Sequence, residues 1–205
     1  MSEHYFSAQP TTSDKTRTFD ITLGGEDFTV TTASGVFSSD GLDKGTRVFL
    51  HKAPFTELPE GALAVDLGCG WGPLSLVLGR EYPQAEVIGV DINERALELA
   101  NQNAQANGLA NVSARDSAEV AKKLATSGRK IDLLWSNPPI RIGKKALHEL
   151  LLTWLNLLAD DGNAYLVVQK NLGADSLTKW LNEQGFPTVK IGSSAGFRIL
   201  HVRRG

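Results

Sequence analysis

One short stretch constrains this chain more than any other. An apolar run, Leu63–Leu67, leads directly into Gly68-Cys69-Gly70-Trp71-Gly72-Pro73, and a helical period begins at Leu74. Glycines between a short apolar strand and a helix make the turn of a strand–helix unit, and such units pack as a parallel sheet covered by helices. The succession recurs. A strand over 86–90 precedes a helix over 94–106, which Asn107-Gly108 ends. A strand over 112–114 precedes a helix over 117–126, and a strand over 131–135 precedes a long amphipathic helix over 144–158. Asp160-Asp161-Gly162 is read as the end of that helix, with a fifth strand over 163–168 and a helix over 177–184 beyond it. Two last strands, about 188–191 and 197–202, are linked by Gly192-Ser193-Ser194, and so short a link permits only antiparallel pairing. The expected fold class is α/β: a Rossmann-like, seven-stranded, mostly parallel sheet with an antiparallel last strand and helices on both faces.

The segment before this unit reads differently. Phe19, Ile21 and Leu23 alternate with polar residues, Gly24-Gly25 follows, and Phe28 and Val30 resume the alternation, which predicts a β-hairpin. A loop over 33–45 and a short helix over 46–52 come next, then Pro54 and Pro59. Residues 1–16 are polar and rich in Ser and Thr and are expected to be flexible. The chain therefore divides into a flexible start (1–16), a hairpin and lead-in (17–60) and an α/β domain (61–205).

Composition narrows the function classes. A single Cys excludes a disulfide framework, and no apolar run approaches the roughly 20 residues of a membrane span. The first ten residues lack the apolar core of a signal peptide, so a cytoplasmic protein with no membrane partner is expected. A net charge of −2 excludes binding to nucleic acid by bulk positive charge while allowing a local basic patch. No spacing of Cys, His or acids suggests zinc, and no metal is expected. Trp135, Trp154 and Trp180 are expected in or near the core, and Trp71 beside the site.

In open α/β sheets ligands lie beyond the carboxyl ends of the strands. The glycine loop there is G-x-G-x-G rather than the G-x-G-x-x-G of dinucleotide sites, and Asp66 precedes it. A carboxylate at that point would repel a pyrophosphate and would suit a cationic ligand such as S-adenosylmethionine. Asp91, ending the second strand, can accept ribose hydroxyls; its alternative role is to cap the helix beginning near residue 94. Asp116-Ser117 follows the third strand and is placed to bond an adenine amine, or to start a helix. The expected cofactor set is Asp66, Gly68, Cys69, Gly70, Asp91, Ile92, Asp116, Ser117 and Asn137.

The fourth strand ends in Asn137-Pro138-Pro139-Ile140. Two prolines stiffen the backbone and remove two donors, leaving carbonyl acceptors. An Asn amide oxygen beside a fixed Pro138 carbonyl offers two acceptors, as the two N–H bonds of a planar exocyclic amine require. Such a site would work by positioning and electrostatics, with no strong base, because the nitrogen becomes acidic as it gains a methyl group. Asn137, Pro138 and Pro139 are therefore the expected catalytic residues. Ile140 with the cations Arg141, Lys144 and Lys145 is the expected substrate-binding set, the alternative for the cations being a solvated helix face.

These motifs together resemble the ordered motifs of class I S-adenosylmethionine-dependent methyltransferases. Ala33-Ser-Gly-Val-Phe-Ser, Leu42-Asp-Lys-Gly-Thr and Asn137-Pro-Pro-Ile-Arg-Ile-Gly-Lys narrow the resemblance, over about residues 17–204, to the small-domain methyltransferases that include bacterial ribosomal-RNA guanine-N2 methyltransferases. The resemblance implies a lead-in folded over the cofactor, and methyl transfer to guanine N2 in ribosomal RNA or a ribosomal subunit. Ile140 departs from the aromatic that adenine-N6 and glutamine methyltransferases carry there, which argues against stacking on an adenine. Two-domain members also carry a degenerate second copy, whereas one copy is legible here. Competing readings are methylation of a protein glutamine or a tRNA base, a nucleotide-dependent oxidoreductase, and a non-catalytic nucleic-acid-binding module. The last two conflict with the Asp66 loop and the Asn137 tetrad.

Overall fold

A computed structural model describes residues 15–36 and 41–205. The expectations for residues 1–14, and for Phe37 and Ser38 of the lead-in, lie outside the described residues. The hairpin forms as β1 (Thr16–Leu23) and β2 (Glu26–Ala33), with Gly24 and Gly25 both at positive φ in the two-residue turn. Thr16, assigned to the flexible start, already pairs with Ala33. The lead-in helix α1 (Lys44–Lys52) starts two residues earlier than expected because the Asp43 side chain accepts hydrogen bonds from the Gly45 and Thr46 amides and caps it.

The α/β domain then alternates. β3 (Leu63–Leu67), α2 (Pro73–Glu81), β4 (Glu86–Asp91), α3 (Glu94–Ala106), β5 (Val112–Asp116), α4 (Ser117–Ser127) and β6 (Ile131–Ser136) precede a 3₁₀ turn at Ile140–Ile142. α5 (Lys144–Leu155), β7 (Leu158–Gln169), α6 (Ala174–Glu183), β8 (Thr188–Ser194) and β9 (Phe197–Arg203) complete it. The seven strands lie in the order β5-β4-β3-β6-β7-β9-β8, with β9 antiparallel to both neighbours and the first five strands of that order parallel. From β3 the chain runs outward through β4 and β5, then returns to the other side of β3 as β6. The switch point between β3 and β6 brings the glycine loop and the Asn137 tetrad together at adjacent carboxyl ends.

Alternation along the strands divides the core in two. Leu133 and Trp135 pack with α1, α2, α3 and the hairpin, whereas Leu134 packs with α4, α5 and α6. The hairpin is docked by two asparagines one turn apart, Asn103 in α3 and Asn107 at its C-cap. Asn103 accepts from the Thr31 amide at 2.7 Å and donates to the Thr31 carbonyl at 3.0 Å and the Trp71 carbonyl at 2.9 Å. Asn107 does the same with Thr29, at 3.0 and 2.8 Å. Trp135 and Trp154 are buried as expected; Trp180 is only half-buried, stacked on His148 at 3.5 Å.

Two boundaries correct the reading of the sequence. α5 stops at Leu155, and Leu158 already pairs with Ile131 as the start of β7. Asp160-Asp161-Gly162 is not a helix end but an irregularity within that strand, across which the pairing jumps to Leu133↔Asn163. Gly162 is required there, since a Cβ would lie 2.7 Å from the Ile131 carbonyl oxygen. Likewise Gly192-Ser193-Ser194 belongs to β8, and the link to β9 is Ala195-Gly196, with φ of 49° and 83°. Among the described residues, no helix is long and apolar enough to cross a membrane.

Candidate functional site

The glycine loop is held by the end of β4. Gly68 and Cys69 donate their amides to the Val90 carbonyl at 2.8 and 3.0 Å, and the Gly70 amide donates to Asp91 Oδ2 at 3.0 Å. Gly68, Gly70 and Gly72 all have positive φ, which L side chains rarely adopt. Gly72 also faces α3 so closely that a Cβ would sit 3.2 Å from Ala100 Cβ. The loop thus presents its backbone to the cavity, which Asp43, Thr46, Asp66, Gly68, Trp71 and Asn137 help to line. The Cys69 side chain turns away and packs against Ala100 and Ala114, and burial pushes its thiol upward in pKa.

Asp66 is 1% exposed, one residue before the end of β3. Its Oδ2 accepts from the Ser75 amide at 2.9 Å and the Ser75 hydroxyl at 2.6 Å. Burial outweighs those bonds and raises its pKa from 3.8 to about 7. A carboxyl in that state, beside a ligand cavity, gains most from a cation that restores its charge.

Asp91 does not cap α3; Asn93 does, accepting from the Arg95 and Ala96 amides. Asp91 Oδ1 instead accepts from the Ile92 and Asn93 amides at 2.8 and 3.0 Å, while Oδ2 holds Gly70. Oδ2 keeps a lone pair for a further donor. Asp116 stands beside Asp91 in register and is the N-cap of α4, accepting from the Glu119 amide at 2.9 Å. One oxygen of Asp116 is therefore engaged in the helix start, and Ser117 is the first residue of that helix. Ile92, directly after Asp91, is 58% exposed and offers an apolar face there.

On the other side of the switch point, Ser136 Oγ donates to the Leu67 carbonyl at 2.7 Å and ties the two strand ends together. Asn137 Nδ2 then donates to Asp43 Oδ2 at 2.7 Å and to Thr46 Oγ1 at 3.1 Å. Both amide hydrogens are used, and the carbonyl oxygen Oδ1 is the group left to bond a ligand. Pro139 has φ −74° and ψ 74°, and the Ile140 amide donates to the Pro138 carbonyl at 2.8 Å, so Pro138–Ile140 forms an inverse γ-turn. The Pro138 carbonyl expected as a free acceptor thus has one lone pair occupied. Pro139 packs toward the glycine loop: a Cβ on Gly68 would be 4.0 Å from Pro139 Cδ.

The expected substrate residues are less closely gathered. Ile140 is half-buried against the core on the α5 side. Arg141, Lys144 and Lys145 are exposed at the start of α5, with Lys145 Nζ 4.0 Å from Glu149. Asp43 and Thr46 lie in the Leu42-Asp-Lys-Gly-Thr lead-in motif, but their contact with Asn137 is one the sequence alone does not reveal. Asp43 three residues before Thr46 marks a helix start, but no local pattern connects them to an amide more than ninety residues on. Phe197 adds to this group: a Cβ on Gly45 would lie 3.0 Å from its ring and 3.2 Å from Asn137 Nδ2.

Comparison with known proteins shows the family. Residues 27–201 match the family model described as methyltransferase small domain. The uncharacterized protein YbxB of Bacillus subtilis is 34% identical over 204 residues, 100% of this chain and 100% of that protein. The ribosomal RNA small subunit methyltransferase C of Hahella chejuensis is 33% identical over 178 residues, 84% of this chain and 48% of that protein. The T. thermophilus 16S rRNA N2 methyltransferase, solved in complex with AdoMet and guanosine, aligns with a TM-score of 0.77 at 25% identity, over 96% of this chain and 52% of that chain. The chain thus spans all of YbxB and about half the length of these two ribosomal RNA methyltransferases.

Proposed function

The chain belongs to the methyltransferase small-domain family, and on that footing we propose that it moves a methyl group from S-adenosylmethionine to the exocyclic N2 of a guanine in ribosomal RNA. The observation that carries this reading is the Asn137 amide, held among the described residues with both N–H groups bonded and its oxygen unengaged, in the cavity that Asp66 and the glycine loop also line. An acceptor fixed at that point selects a nitrogen that bears hydrogen. Relatives named as ribosomal RNA methyltransferases support RNA as the substrate class.

The donor set fits the cofactor. Asp66 is a buried carboxyl placed to meet an ammonium group, with the backbone of Gly68, Cys69 and Gly70 beside it. Asp91 retains acceptor capacity for the ribose, Ile92 offers an apolar face to the adenine, and Asp116 and Ser117 lie at the next strand end for its amine. S-adenosylmethionine supplies an electrophilic methyl group on a sulfonium. Asn137 Oδ1 accepts one N–H of the substrate amine, and the second lone pair of the Pro138 carbonyl can accept the other. Bonding both hydrogens fixes the nitrogen and directs its lone pair at the methyl group. As positive charge grows on nitrogen these acceptors bind more strongly, and the proton then leaves to solvent. The 17–60 segment acts as a lead-in over this site, a reading supported by Asp43 and Thr46 lining the same cavity as the glycine loop. Arg141, Lys144 and Lys145 hold RNA phosphates at its mouth.

The test is methylation of ribosomal RNA and of both ribosomal subunits, purified from a strain lacking this gene, with methyl-labelled cofactor. N2-methylguanosine after nucleoside digestion is the expected product. Label in a different nucleoside or in protein would replace guanine N2 as the target, and NAD binding without methyl transfer would overturn the reading.

A further inference from the structure

Asn137 is joined to a part of the chain that precedes the whole sheet. Asp43 Oδ2 receives three hydrogen bonds: from the Gly45 amide at 2.8 Å, the Thr46 amide at 3.1 Å and Asn137 Nδ2 at 2.7 Å. Thr46, 4% exposed, takes the second hydrogen of the Asn137 amide at 3.1 Å. We propose that Asp43 and Thr46 are positioning residues that hold the Asn137 amide with its oxygen, and never its NH2 group, toward the substrate nitrogen. This rests on the methyl-transfer reading given above and deepens it.

A side-chain amide turned over by 180° has nearly the same shape, so packing alone does not choose between its two orientations. The choice is made by partners. In the turned-over orientation the Asn137 oxygen would face the Asp43 carboxylate, two acceptors at hydrogen-bond distance with no proton between them. The NH2 group would then point at the substrate amine, donor against donor. In the observed orientation both donors are satisfied, and the amide is polarised by the carboxylate on its nitrogen side, which strengthens its oxygen as an acceptor. The site therefore accepts a nitrogen carrying hydrogens and rejects a ring nitrogen that offers only a lone pair. Gly45 belongs to the same device. A Cβ there would lie 3.0 Å from Asp43 Oδ2 and Phe197 Cε1 and 3.2 Å from Asn137 Nδ2, so a larger residue would press on the very groups that hold the amide.

Asp43 also caps α1, and the test must separate the two roles. Asp43→Ser keeps a good cap residue but is too short to reach Asn137. Asp43→Asn keeps both the cap and an acceptor of the right length. Single-turnover methyl transfer is measured for these two variants, for Asn137→Ala, and for Asp43→Ser combined with Asn137→Ala. Asp43→Ser is expected to lower the transfer rate about 10- to 100-fold while the cofactor Kd and the KM for RNA move about twofold or less. Asp43→Asn is expected to be about tenfold faster than Asp43→Ser, and Asp43→Ser to add no further loss once Asn137 is Ala. Equal losses from Asp43→Ser in both backgrounds, or no loss in either, would overturn the proposal. The Asn137 side-chain NH2 resonances give a readout that needs no turnover: both should shift and exchange faster in Asp43→Ser. Unchanged resonances would refute the orienting contact, whereas a wild-type protein that transfers no methyl group would refute the functional reading.

Discussion

Replacing Asp66 by Asn should remove a fall in stability that this protein otherwise suffers as the pH rises toward 7. In the folded protein the Asp66 pKa stands at about 7, raised from 3.8 chiefly by burial. Below about pH 4 the carboxyl is protonated whether the chain is folded or not, and its burial carries no charge penalty. As the pH rises the unfolded chain loses that proton first, so the contribution to stability declines steadily until about pH 7, where the folded protein ionises as well. The slope is 1.36 kcal/mol per pH unit and flattens as the folded group ionises, which makes the loss about 2.5 kcal/mol between pH 5 and 7. The amide that Asp66→Asn introduces carries no charge, and its oxygen can still accept both Ser75 hydrogen bonds. Urea denaturation of ligand-free protein at pH 5, 6, 7 and 8 should show the variant gaining on the wild type by that amount up to pH 7, then holding a constant lead. In thermal melts the gain corresponds to roughly 5–10 °C for a chain of this size. Two denaturation profiles that stay parallel from pH 5 to 8 would refute the upward shift. S-adenosylmethionine provides the complementary measurement: if its ammonium meets an ionised Asp66, wild-type affinity should fall about tenfold per pH unit below 7, and the variant should bind weakly at every pH.

Asp91→Ala removes the acceptor for Gly70, Ile92 and Asn93 together with the proposed ribose contact, so calorimetry should show cofactor affinity reduced by at least about 100-fold, at roughly 1.5–3 kcal/mol per charge-assisted bond removed; unchanged affinity would confine Asp91 to bracing the loop. Replacing Arg141, Lys144 and Lys145 together by Ala should flatten the log–log salt dependence of RNA binding by about 0.7–0.9 for each phosphate no longer neutralised, with cofactor affinity unchanged. An unmoved salt slope would leave these residues as a solvated helix start. Asn103→Ala strands the Thr31 amide and carbonyl and the Trp71 carbonyl, and should cost about 3–5 kcal/mol in chemical denaturation, with faster hydrogen exchange at Thr31.

The glycine loop is legible in the sequence because its reason is local: positive φ at Gly68, Gly70 and Gly72, and a strand buried on both faces before them. The sheet order follows from repetition of one unit. Where a side chain serves a distant partner, the local pattern carries no sign of it. Asp43 and Asn137 meet only because α1 packs on the sheet face over β7 and β9 and β6 ends beside it. The strand at Leu158 reads as helix because Leu155, Leu157 and Leu158 are all buried, and a run of apolar residues looks alike in either state. At Asp91 and Asp116 the sequence offers two roles for each acid. The neighbouring Asn93 takes the cap from Asp91, whereas Asp116 keeps its own.

The asparagine pair at the C-terminal end of α3 bears on how this chain avoids its own kind. A two-stranded ribbon has two open edges, and any extended segment can add to one of them. Along β2 that vacancy is taken by a helix: the amides of Asn103 and Asn107 offer Thr31 and Thr29 the donor and acceptor that a third strand would bring, at the same two-residue interval. A helix cannot be extended sideways as a strand can, so the ribbon ends there. The opposite edge, β1, is left with Arg17, Asp20 and a row of threonines, charged and polar residues ill-suited to recruiting another chain. Replacing the two asparagines by leucine would leave the Thr29 and Thr31 backbone groups unpaired and reopen the edge, turning a closed ribbon into a template for aggregation.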